Sequence, residues 1–375
     1  MKICFLATVP FAVHAFLRPH INFLSHQYDV TVICNKENKN ILKGVNAKFI
    51  HLNIERKPSL IKDFALLIQL IILFRKNKFN LVHTIMPKTG LVGMFAASLC
   101  CIKTRIHTFT GQVWVTKKGL MKTFLKFTDF LTAVFATHLL TDSHGQRKFL
   151  ITNKIVRPKK IDVLGYGSIA GVDLKSFSID ILQRSLIRKK LKIKTDDVVF
   201  TFVGRLNIDK GILDLLDAFK RLSYEYSNVH LILLGSIEGS FLDVIKKSMI
   251  NPKIHFFSYS LFPQKYLSAS DVFCLPSYRE GFPNVIIEAG SIGIPAIASN
   301  IYGVNDAVLD YKTGLLHKPR DVDDIQKCMR LLVDNKKLRE KLGHAAKIRT
   351  INFFNQKDVI RRLNIFYLEQ MQRLT

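Results

Sequence analysis

Short apolar runs alternate with longer amphipathic stretches along nearly the whole chain, and this alternation limits the possible folds more than any other feature of the sequence. Apolar runs of about four to eight residues predict buried strands, and the stretches between them predict helices. Together they indicate βαβ units built on a parallel sheet. The pattern occurs as two successive series. The first predicts strands at 2–7, 29–34, 48–51, 81–84, 105–108, 138–141 and 160–163 with helices at 14–26, 59–77, 90–101, 119–136 and 143–151, and the second predicts strands at 198–203, 230–234, 254–257, 272–275, 296–298 and 314–316.

Two such series predict two domains, since 375 residues are about twice the length of a typical single domain. We expect Rossmann-like, doubly wound α/β domains at 1–168 and 169–351. We expect them to face a cleft, because ligands of such sheets bind at the carboxyl ends of the strands. The crossing between the domains at 165–177, GYGSIAGVDLKSF, is rich in glycine and is a candidate hinge. An amphipathic helix at 352–375 is expected to pack back on the first domain.

The six cysteines form no Cys-x-x-Cys pair and lie mostly in apolar surroundings, which is typical of reduced thiols in the cytosol. The amino terminus, MKICFLATV, has the pattern of a first strand and lacks the cleavage site of a signal peptide. No apolar run reaches the roughly 18 residues that a membrane-spanning helix requires. We therefore expect a cytoplasmic protein, either free of the membrane or peripheral on the inner face of the cytoplasmic membrane.

Basic residues are concentrated in the first half of the chain. The net charge is +27, and residues 1–175 contain 26 Lys and Arg against 8 Asp and Glu, a net charge of +18. A solvated basic surface, an anionic membrane surface and nucleic acid are all compatible with this excess. Lysines at 117, 118, 122 and 126 lie among the apolar residues of one helix, for which membrane docking and packing on the sheet are equally good interpretations. Nucleic-acid binding stays an alternative without a supporting motif.

The stretch VVFTFVGRLNIDKGILDLLDAFKRL, at 198–222, predicts a buried strand, a short loop and a helix. Arg205 and Lys210 lie in the loop, where free backbone N–H groups at a helix start and two cations would bind a diphosphate. Gly204 would let the backbone approach a ligand without an intervening Cβ. The alternative interpretation is that both cations are ordinary surface residues and that Gly204 only makes a turn.

A second strand, loop and helix follow in DVFCLPSYREGFPNVIIEAGSIG, with Asn284 as a predicted N-cap. Glu280 lies on the loop and Glu288 lies one turn into the helix. Two carboxylates are compatible with a general acid and base. Beside phosphate-binding cations they fit better as acceptors for the vicinal hydroxyls of a nucleotide sugar. The alternative is a turn charge at Glu280 and a favourable helix-dipole interaction at Glu288.

Three segments in this half, GRLNIDKG, EGFPNVIIE and GIPAIASNIYGVNDAV, give the chain a family resemblance. In this order and context they resemble the retaining GT-B glycosyltransferases of family 4, especially bacterial enzymes that build O-antigen, capsule or carrier-linked oligosaccharides. The first half matches more loosely, through RIHTFTGQVW and LGYGSIAGVDLKSF. The resemblance implies a GT-B fold and transfer of a sugar from a nucleotide-diphosphate sugar to a glycan or undecaprenyl-diphosphate-linked glycan. It favours a UDP-linked hexose or N-acetylhexosamine as donor ahead of GDP-mannose, and surface polysaccharide biosynthesis as the setting.

The resemblance also implies roles for particular residues. Arg205 and Lys210 match the pair that binds the diphosphate and stabilises the leaving group in place of a metal. Glu288 matches the glutamate that holds the ribose hydroxyls, and Glu280 the one close to the donor sugar. His107, in HTFTG, resembles an active-site histidine near that sugar. Further donor contacts are implied at the backbone of Phe282, Asn284 and Val285 and, for the base, at Ser258 and Tyr259.

Two further segments bear on acceptor contacts and on metal binding. The loop after the first strand, TVPFAVHAFLRPH, has no glycine where many relatives have several, although His14 and Arg18 remain candidates for acceptor binding. The segment RDVDD at 320–324 contains Asp-x-Asp, but it begins an amphipathic helix, where acids favour the dipole. We therefore expect no metal and no cofactor. A sugar-nucleotide epimerase of the same architecture is the alternative enzyme.

Overall fold

The computed structural model describes residues 1–36, 39–55, 59–239 and 241–372. Residues 1–170 and the segment from Gln356 onward form one compact unit, and Gly171–Asn355 form a second. The sequence places the first boundary after residue 168 and the start of the terminal segment at 352. The structure places these two boundaries after Ala170 and at Gln356. We refer to the two parts as unit 1 and unit 2.

The described residues of unit 1 form a seven-stranded, all-parallel sheet in the order β3-β2-β1-β4-β5-β6-β7. Central strand β1 pairs with β2 on one side and β4 on the other, so that Phe5 lies opposite both Val32 and His83. The predicted strands are confirmed to within one residue at each end. They are β1 (Lys2–Leu6), β2 (Asp29–Cys34), β3 (Lys48–His51), β4 (Leu81–Ile85), β5 (Thr104–Phe109), β6 (His138–Thr141) and β7 (Ile161–Val163).

The helix predicted at 14–26 is interrupted in the structure. Pro19 has no N–H to donate to the carbonyl group four residues back, and the residues before it form a π-helical turn, Val13–Leu17. The N–H of Arg18 reaches the carbonyl group of Val13, five residues back. The helices of this part are α1 (Pro10–Ala12), α2 (Arg18–Leu24), α3 (Leu60–Asn77), α4 (Pro87–Leu99), α5 (Gly119–Phe135) and α6 (His144–Thr152).

The described residues of unit 2 form a six-stranded parallel sheet in the order β10-β9-β8-β11-β12-β13. Again the strand positions are confirmed to within one residue. The strands are β8 (Val198–Val203), β9 (Val229–Leu234), β10 (Ile254–Phe257), β11 (Val272–Leu275), β12 (Ala296–Ser299) and β13 (Gly314–His317). The helices are α7 (Ile181–Lys190), α8 (Ile212–Glu225), α9 (Phe241–Ser248), α10 (Pro263–Ser268), α11 (Asn284–Ile292), α12 (Val304–Ala307), α13 (Val322–Asp334) and α14 (Lys336–Phe353).

The last helix, α15 (Gln356–Gln372), returns to unit 1 and packs on α2. Its Tyr367 is fully buried, and the hydroxyl group is hydrogen-bonded to Nδ1 of His83 on β4. Apolar residues of α2 and α15 form one core on this face of the sheet. Helices α3, α4 and α5 lie side by side over the core that contains Leu70, Phe74 and Met94. The sheet of unit 1 therefore has helices on both faces, as in doubly wound α/β domains.

In each sheet the strand order reverses at one place, beside β1 in unit 1 and beside β8 in unit 2. The loops after β1 and β4, and those after β8 and β11, leave the sheets on the two sides of this reversal. Open parallel sheets bind ligands at such switch points. These four loops are therefore where binding residues are expected.

Within the described residues, no helix combines the length and the apolarity that crossing a membrane requires.

Candidate active site

Arg205 directly follows Gly204 at the carboxyl end of β8 and is held by a carboxylate. Its Nη1 lies 3.0 Å from Oε1 and 2.9 Å from Oε2 of Glu238. Asn207 donates from Nδ2 to the same carboxylate at 2.9 Å. The Arg205 side chain is 47% exposed, so a large part of this fixed cation is available to an anion.

Lys210 is brought to the end of β11 by the loop that follows β8. Asn207 Oδ1 accepts a hydrogen bond from the N–H of Lys210 at 3.1 Å and caps this turn. Gly211 has φ +67°, and a Cβ added there would lie 2.0 Å from the carbonyl oxygen of Pro276. Only glycine permits both the left-handed conformation and this close approach. Lys210 Nζ lies 2.5 Å from Glu280 Oε1, and both side chains are largely buried.

The two loops are joined by further bonds at the same place. Asp209 accepts from the Nε of Arg279 at 2.8 Å, and its carbonyl oxygen accepts from the N–H of Tyr278 at 2.8 Å. The Tyr278 hydroxyl group donates to Asp214 at 2.8 Å, and the guanidinium of Arg320 lies 3.8 Å from the tyrosine ring. Burial, followed by the bond to Asp214, raises the pKa of Tyr278 to about 12. The position of the Lys210–Glu280 pair is therefore fixed by a network.

Helix α11 begins at Asn284, and Pro283 is its N-cap residue. The prediction that Asn284 is the N-cap is therefore wrong, because Pro283 already occupies the non-helical capping position. Phe282 is 6% exposed and its ring packs on Phe354 at a centroid distance of 5.2 Å. The Phe282 side chain is part of the core, which leaves only its backbone for a donor. Val285, one residue into the helix, is half-buried.

Glu288 lies on the second turn of α11 and is half-buried. Burial raises the pKa of its carboxyl group to about 7. Among the described residues, no hydrogen bond or ion pair reaches this carboxyl group, in contrast to Glu280. A half-buried carboxyl group without a protein partner has both acceptor oxygens available for the hydroxyl groups of a ligand.

Ser258 and Tyr259 follow β10, two strands from β8, and both are exposed. Strand spacing puts the end of β10 about 10 Å from that of β8. The adjacent strands β8 and β11 are followed by Arg205, Lys210, Glu280 and Glu288. Ser258 and Tyr259 therefore lie farther from these four residues, and base binding by them stays a prediction.

The structure contradicts the expectation that His107 lies at the end of its strand. His107 lies inside β5 and is 1% exposed. Its Nδ1 is hydrogen-bonded to the Thr84 hydroxyl group at 2.8 Å, and α4 covers it so closely that a Cβ added at Gly90 would lie 2.5 Å from the ring. Burial lowers the pKa of His107 to about 3. The ring is therefore covered by protein, and its catalytic role stays a prediction.

His14 and Arg18 lie on or beside the π-helical turn after β1, at the switch point of unit 1. Burial, followed by the charge of Arg18, lowers the pKa of His14. The buried Nδ1 of His14 has no hydrogen-bond partner within the described part of the chain. On the neighbouring loop, Met86 has φ +75°. Residues other than glycine rarely adopt this backbone conformation, and those that do cluster at functional sites.

The acids of the Asp-x-Asp segment have structural partners. Asp321 Oδ1 caps α13 by accepting from the N–H of Asp324 at 3.0 Å. Asp323 pairs with Arg221 at 2.7 Å, and Asp324 accepts from the backbone of Lys318 at 2.7 Å. In the described ranges, no group of three or more His, Cys, Asp or Glu side chains is arranged to hold a metal ion.

Asn207, Asp209, Glu238, Arg279 and Arg320 contribute to the site but were not predicted as site residues. Asn207 had a usable signal, since an asparagine three residues before Lys210 fits a capped turn. Glu238 had none, because it follows a different strand, β9, and meets Arg205 only in the folded sheet.

Comparison with known proteins gives a consistent relationship over both units. The family model "Glycosyl transferase 4-like" matches residues 2–143, and the model "Glycosyl transferases group 1" matches residues 183–349. The chain is 30% identical over 370 residues to a capsular polysaccharide biosynthesis glycosyltransferase, CapM, from Staphylococcus aureus, covering 98% of this chain and 96% of that protein. It is 29% identical to an Escherichia coli UDP-Gal:alpha-D-GlcNAc-diphosphoundecaprenol alpha-1,3-galactosyltransferase, covering 92% and 90% of the two chains.

Solved structures show the same fold. Anabaena Alr3699/HepE in complex with UDP and glucose has a TM-score of 0.82 at 18% identity, covering 98% of this chain and 99% of that chain. Sucrose-phosphate synthase from Thermosynechococcus elongatus has a TM-score of 0.84 at 18% identity, covering 100% of both chains. Two parallel-sheet units with these neighbours confirm the predicted GT-B fold. The chain therefore belongs to the GT-B glycosyltransferases of family 4.

Proposed function

We propose that this glycosyltransferase moves a sugar, with retention of the anomeric configuration and without a metal, from a UDP-linked hexose or N-acetylhexosamine to a glycan or undecaprenyl-diphosphate-linked glycan. The setting is surface polysaccharide biosynthesis on the cytoplasmic side of the membrane. The observation that carries the proposal is the placement of Arg205, Lys210, Glu280 and Glu288 at the switch point of unit 2. The names of the relatives support the substrates, since they include UDP-Gal, a diphosphoundecaprenol acceptor and capsular polysaccharide.

Arg205 and Lys210 bind the diphosphate, which is the leaving group. The bond between the anomeric carbon and the diphosphate oxygen breaks, and the acceptor oxygen forms its bond on the same face of the sugar. The acceptor proton leaves with the nucleoside diphosphate. Arg205 and Lys210 are fixed before the donor arrives, so they stabilise the negative charge developing on the diphosphate without reorganising. This electrostatic role is the one that a divalent cation performs in other enzymes.

The two glutamates differ in environment and therefore in role. Glu280 is paired with Lys210, so it orients the ammonium group, and we assign its second oxygen to the donor sugar. Glu288 has no partner among the described residues, and we assign it to the ribose hydroxyl groups. A vicinal diol donates two hydrogen bonds, which matches the two oxygens of one carboxylate. We assign the acceptor to unit 1, at the loop that carries His14 and Arg18.

A nucleotide screen tests the proposal directly. Thermal unfolding is measured with UDP, GDP and ADP in the presence of EDTA, and UDP is expected to raise Tm more than the other two. The protein is then incubated with UDP-sugars in the absence of an acceptor, and NMR identifies the reaction products. Slow hydrolysis to UDP and free sugar supports a transferase, whereas an epimerised nucleotide sugar would assign the fold to the alternative enzyme. If no nucleoside diphosphate raises Tm, the proposed donor site is wrong.

A further inference from the structure

Helix α5 directs its most apolar face to solvent. Its buried residues include Asp129 and Thr132, whereas three phenylalanines are exposed. In an ordinary surface helix the reverse holds, since the apolar stripe faces the core. The exposed residues recur at spacings of three and four, so they form one continuous stripe. Its members and their exposed fractions are Leu120 (90%), Met121 (54%), Phe124 (52%), Phe127 (54%), Phe130 (42%) and Val134 (51%).

The rotation of α5 about its axis is fixed by its polar face. Buried Trp114 donates from Nε1 to Asp129 Oδ2 at 2.8 Å and stacks on Phe149 at a centroid distance of 5.1 Å. Lys126 lies over the Trp114 ring at 5.6 Å and donates to Asn153 at 3.3 Å. Lys126 therefore contacts other residues of unit 1 and does not point to solvent with the apolar stripe. The contacts of Asp129 and Lys126 fix the outward direction of the stripe.

Helix α3 presents a second stripe of the same kind, while Leu66, Leu70 and Phe74 on its inner side are buried. Helix α4 lies between α3 and α5, so both stripes belong to one side of unit 1. We call the two stripes together the outer face. Exposed apolar stripes of this length are rare on monomeric proteins and mark interaction sites. The α3 members are Leu60 (92%), Ile61 (84%), Phe64 (65%), Ile68 (43%) and Ile72 (59%).

Cations lie at the amino-terminal end of the outer face. Lys117, Lys118 and Lys122 are exposed beside Leu120 and Met121. The acidic residues of the two helices do not offset them. Asp63 on α3 is paired with Lys88 at 2.7 Å, and Asp129 on α5 is buried. The outer face therefore combines apolar side chains with a positive edge, within a half of the chain whose net charge is +18 over residues 1–175.

We propose that the outer face docks on an anionic membrane surface. Phenylalanine, leucine and isoleucine side chains enter the boundary between headgroups and acyl chains, and the three lysines contact anionic headgroups. A second copy of the chain is a poorer occupant, because the acidic residues of α3 and α5 are paired or buried and would not complement the lysine edge of another copy. The charge of the edge thus favours an anionic lipid layer over the protein itself.

The position of the outer face links docking to the reaction, and this step rests on the proposed function. Helices α3, α4 and α5 each begin after the carboxyl end of the preceding strand. Their amino-terminal ends, with the lysine edge, thus lie toward the edge of the sheet that carries the switch-point loops of unit 1. A membrane held there would present a lipid-linked acceptor on the side where we assign acceptor binding.

Vesicle co-sedimentation of the full chain tests the proposal. The probes are vesicles of phosphatidylcholine alone and of equal parts phosphatidylglycerol and phosphatidylcholine. We expect binding to the mixed vesicles and little binding to phosphatidylcholine. The triple variant Lys117→Glu, Lys118→Glu, Lys122→Glu should lower the partition coefficient about 100-fold or more. The double variant Phe124→Gln, Phe127→Gln, which keeps every charge, should lower it about 10-fold or more.

A matched control separates the outer face from net charge. Lys336, Lys337 and Lys341 are exposed on α14 of unit 2, and changing all three to Glu alters the net charge equally. The partition coefficient of this variant on mixed vesicles should stay within about threefold of that of the unmodified protein, because the three substitutions lie outside the outer face. Equal loss in the control and the α5 lysine variant would overturn the proposal, because it would show attraction by net charge alone.

Two further results would also overturn it. One is the absence of binding to the mixed vesicles by the unmodified protein. The other is a dimer in sedimentation velocity that Phe124→Gln, Phe127→Gln dissociates, which would assign the face to a second copy. The Tm increase with UDP is measured on each variant as a separate readout. Lost vesicle binding with a retained UDP effect supports docking, and a UDP effect absent from every protein would count against the donor site and not against docking.

Discussion

At the scale of single residues, each cation of the proposed donor site is already paired with a carboxylate. Arg205 is held by Glu238, and Lys210 is held by Glu280. The arrangement fixes both cations in position and reduces the conformational freedom that a ligand would otherwise have to remove. Lys210 is the more buried of the two, so its charge acts in the less polar environment and affects a developing charge more strongly.

Removing the Lys210 ammonium group should therefore impair the chemical step. For Lys210→Ala we expect kcat to fall about 100-fold or more, because one fixed donor to the leaving group is lost. Steady-state kinetics with a UDP-sugar and acceptor measures this effect. Lys220→Ala removes an exposed lysine from α8 and should leave kcat unchanged. A Lys210→Ala enzyme with near-normal kcat and an unchanged fold would show that Lys210 does not stabilise the leaving group.

We expect the proposed contact between Glu288 and the ribose to make nucleotide binding depend on pH. The pKa of Glu288, raised by burial to about 7 in the free protein, means that the carboxyl group is increasingly protonated below pH 7. Ribose hydroxyl groups favour the carboxylate, so binding requires loss of this proton at low pH. Affinity for UDP should weaken as pH falls from 7, by at most about tenfold per pH unit.

Calorimetric titrations of UDP at several pH values measure this dependence. UDP itself titrates, so Glu288→Gln is the control, since it retains the shape and cannot ionise. The variant should bind more weakly at pH 8 and should lack the part of the pH dependence that belongs to the protein. Identical pH profiles for the two proteins would remove Glu288 from the ribose site.

At the scale of secondary-structure elements, the strands were predictable and several local details were not. Buried apolar runs such as VVFTFV at 198–203 define strands because both faces of a parallel sheet are covered. The segment at 14–26 has a helical pattern, but Pro19 cannot donate a helical hydrogen bond and a π-helical turn precedes it. The HTFTG segment indicated a strand-end histidine, yet β5 extends to Phe109 and buries His107. A sequence pattern fixes the type of element more firmly than its last residue.

The loop between β8 and α8 depends on the absence of a side chain at Gly211. For Gly211→Ala we expect the free energy of unfolding of unit 2 to fall by about 3 kcal/mol or more, because a Cβ would collide with the backbone of Pro276. Gly239 has the same φ of +67°, and no atom of the described residues lies within 4 Å of a Cβ added there. Gly239→Ala should therefore cost only about 1 kcal/mol for the left-handed conformation.

Urea denaturation followed by far-ultraviolet circular dichroism compares the two glycine variants. The difference between their free energies of unfolding separates the cost of the collision with Pro276 from the cost of the left-handed backbone conformation. Equal losses would mean that the loop after β8 moves away from β11 without cost, and Lys210 would then not be held beside Glu280 by packing.

At the scale of the whole molecule, contacts between residues far apart in the sequence determine features that local sequence patterns do not predict. The Glu238–Arg205 pair joins loops that follow different strands, and Tyr367 near the end of the chain is hydrogen-bonded to His83 on β4. Such pairings depend on the strand order of the sheets, which single-sequence patterns do not encode. The residues that we propose for the donor site are recognisable in the sequence because their motifs are local. The partners that hold them and the outward stripes of α3 and α5 became visible only in the folded chain.

The stereochemistry of the product tests the central claim most directly. The enzyme is incubated with EDTA, a UDP-sugar and an undecaprenyl-diphosphate-linked acceptor or a short-chain analogue of it, and the anomeric proton of the new linkage is observed by NMR. We expect a single glycoside with the anomeric configuration of the donor, formed by the unmodified enzyme and at least about 100-fold more slowly by Lys210→Ala. A product of inverted configuration, or transfer that stops when EDTA removes divalent cations, would contradict the account.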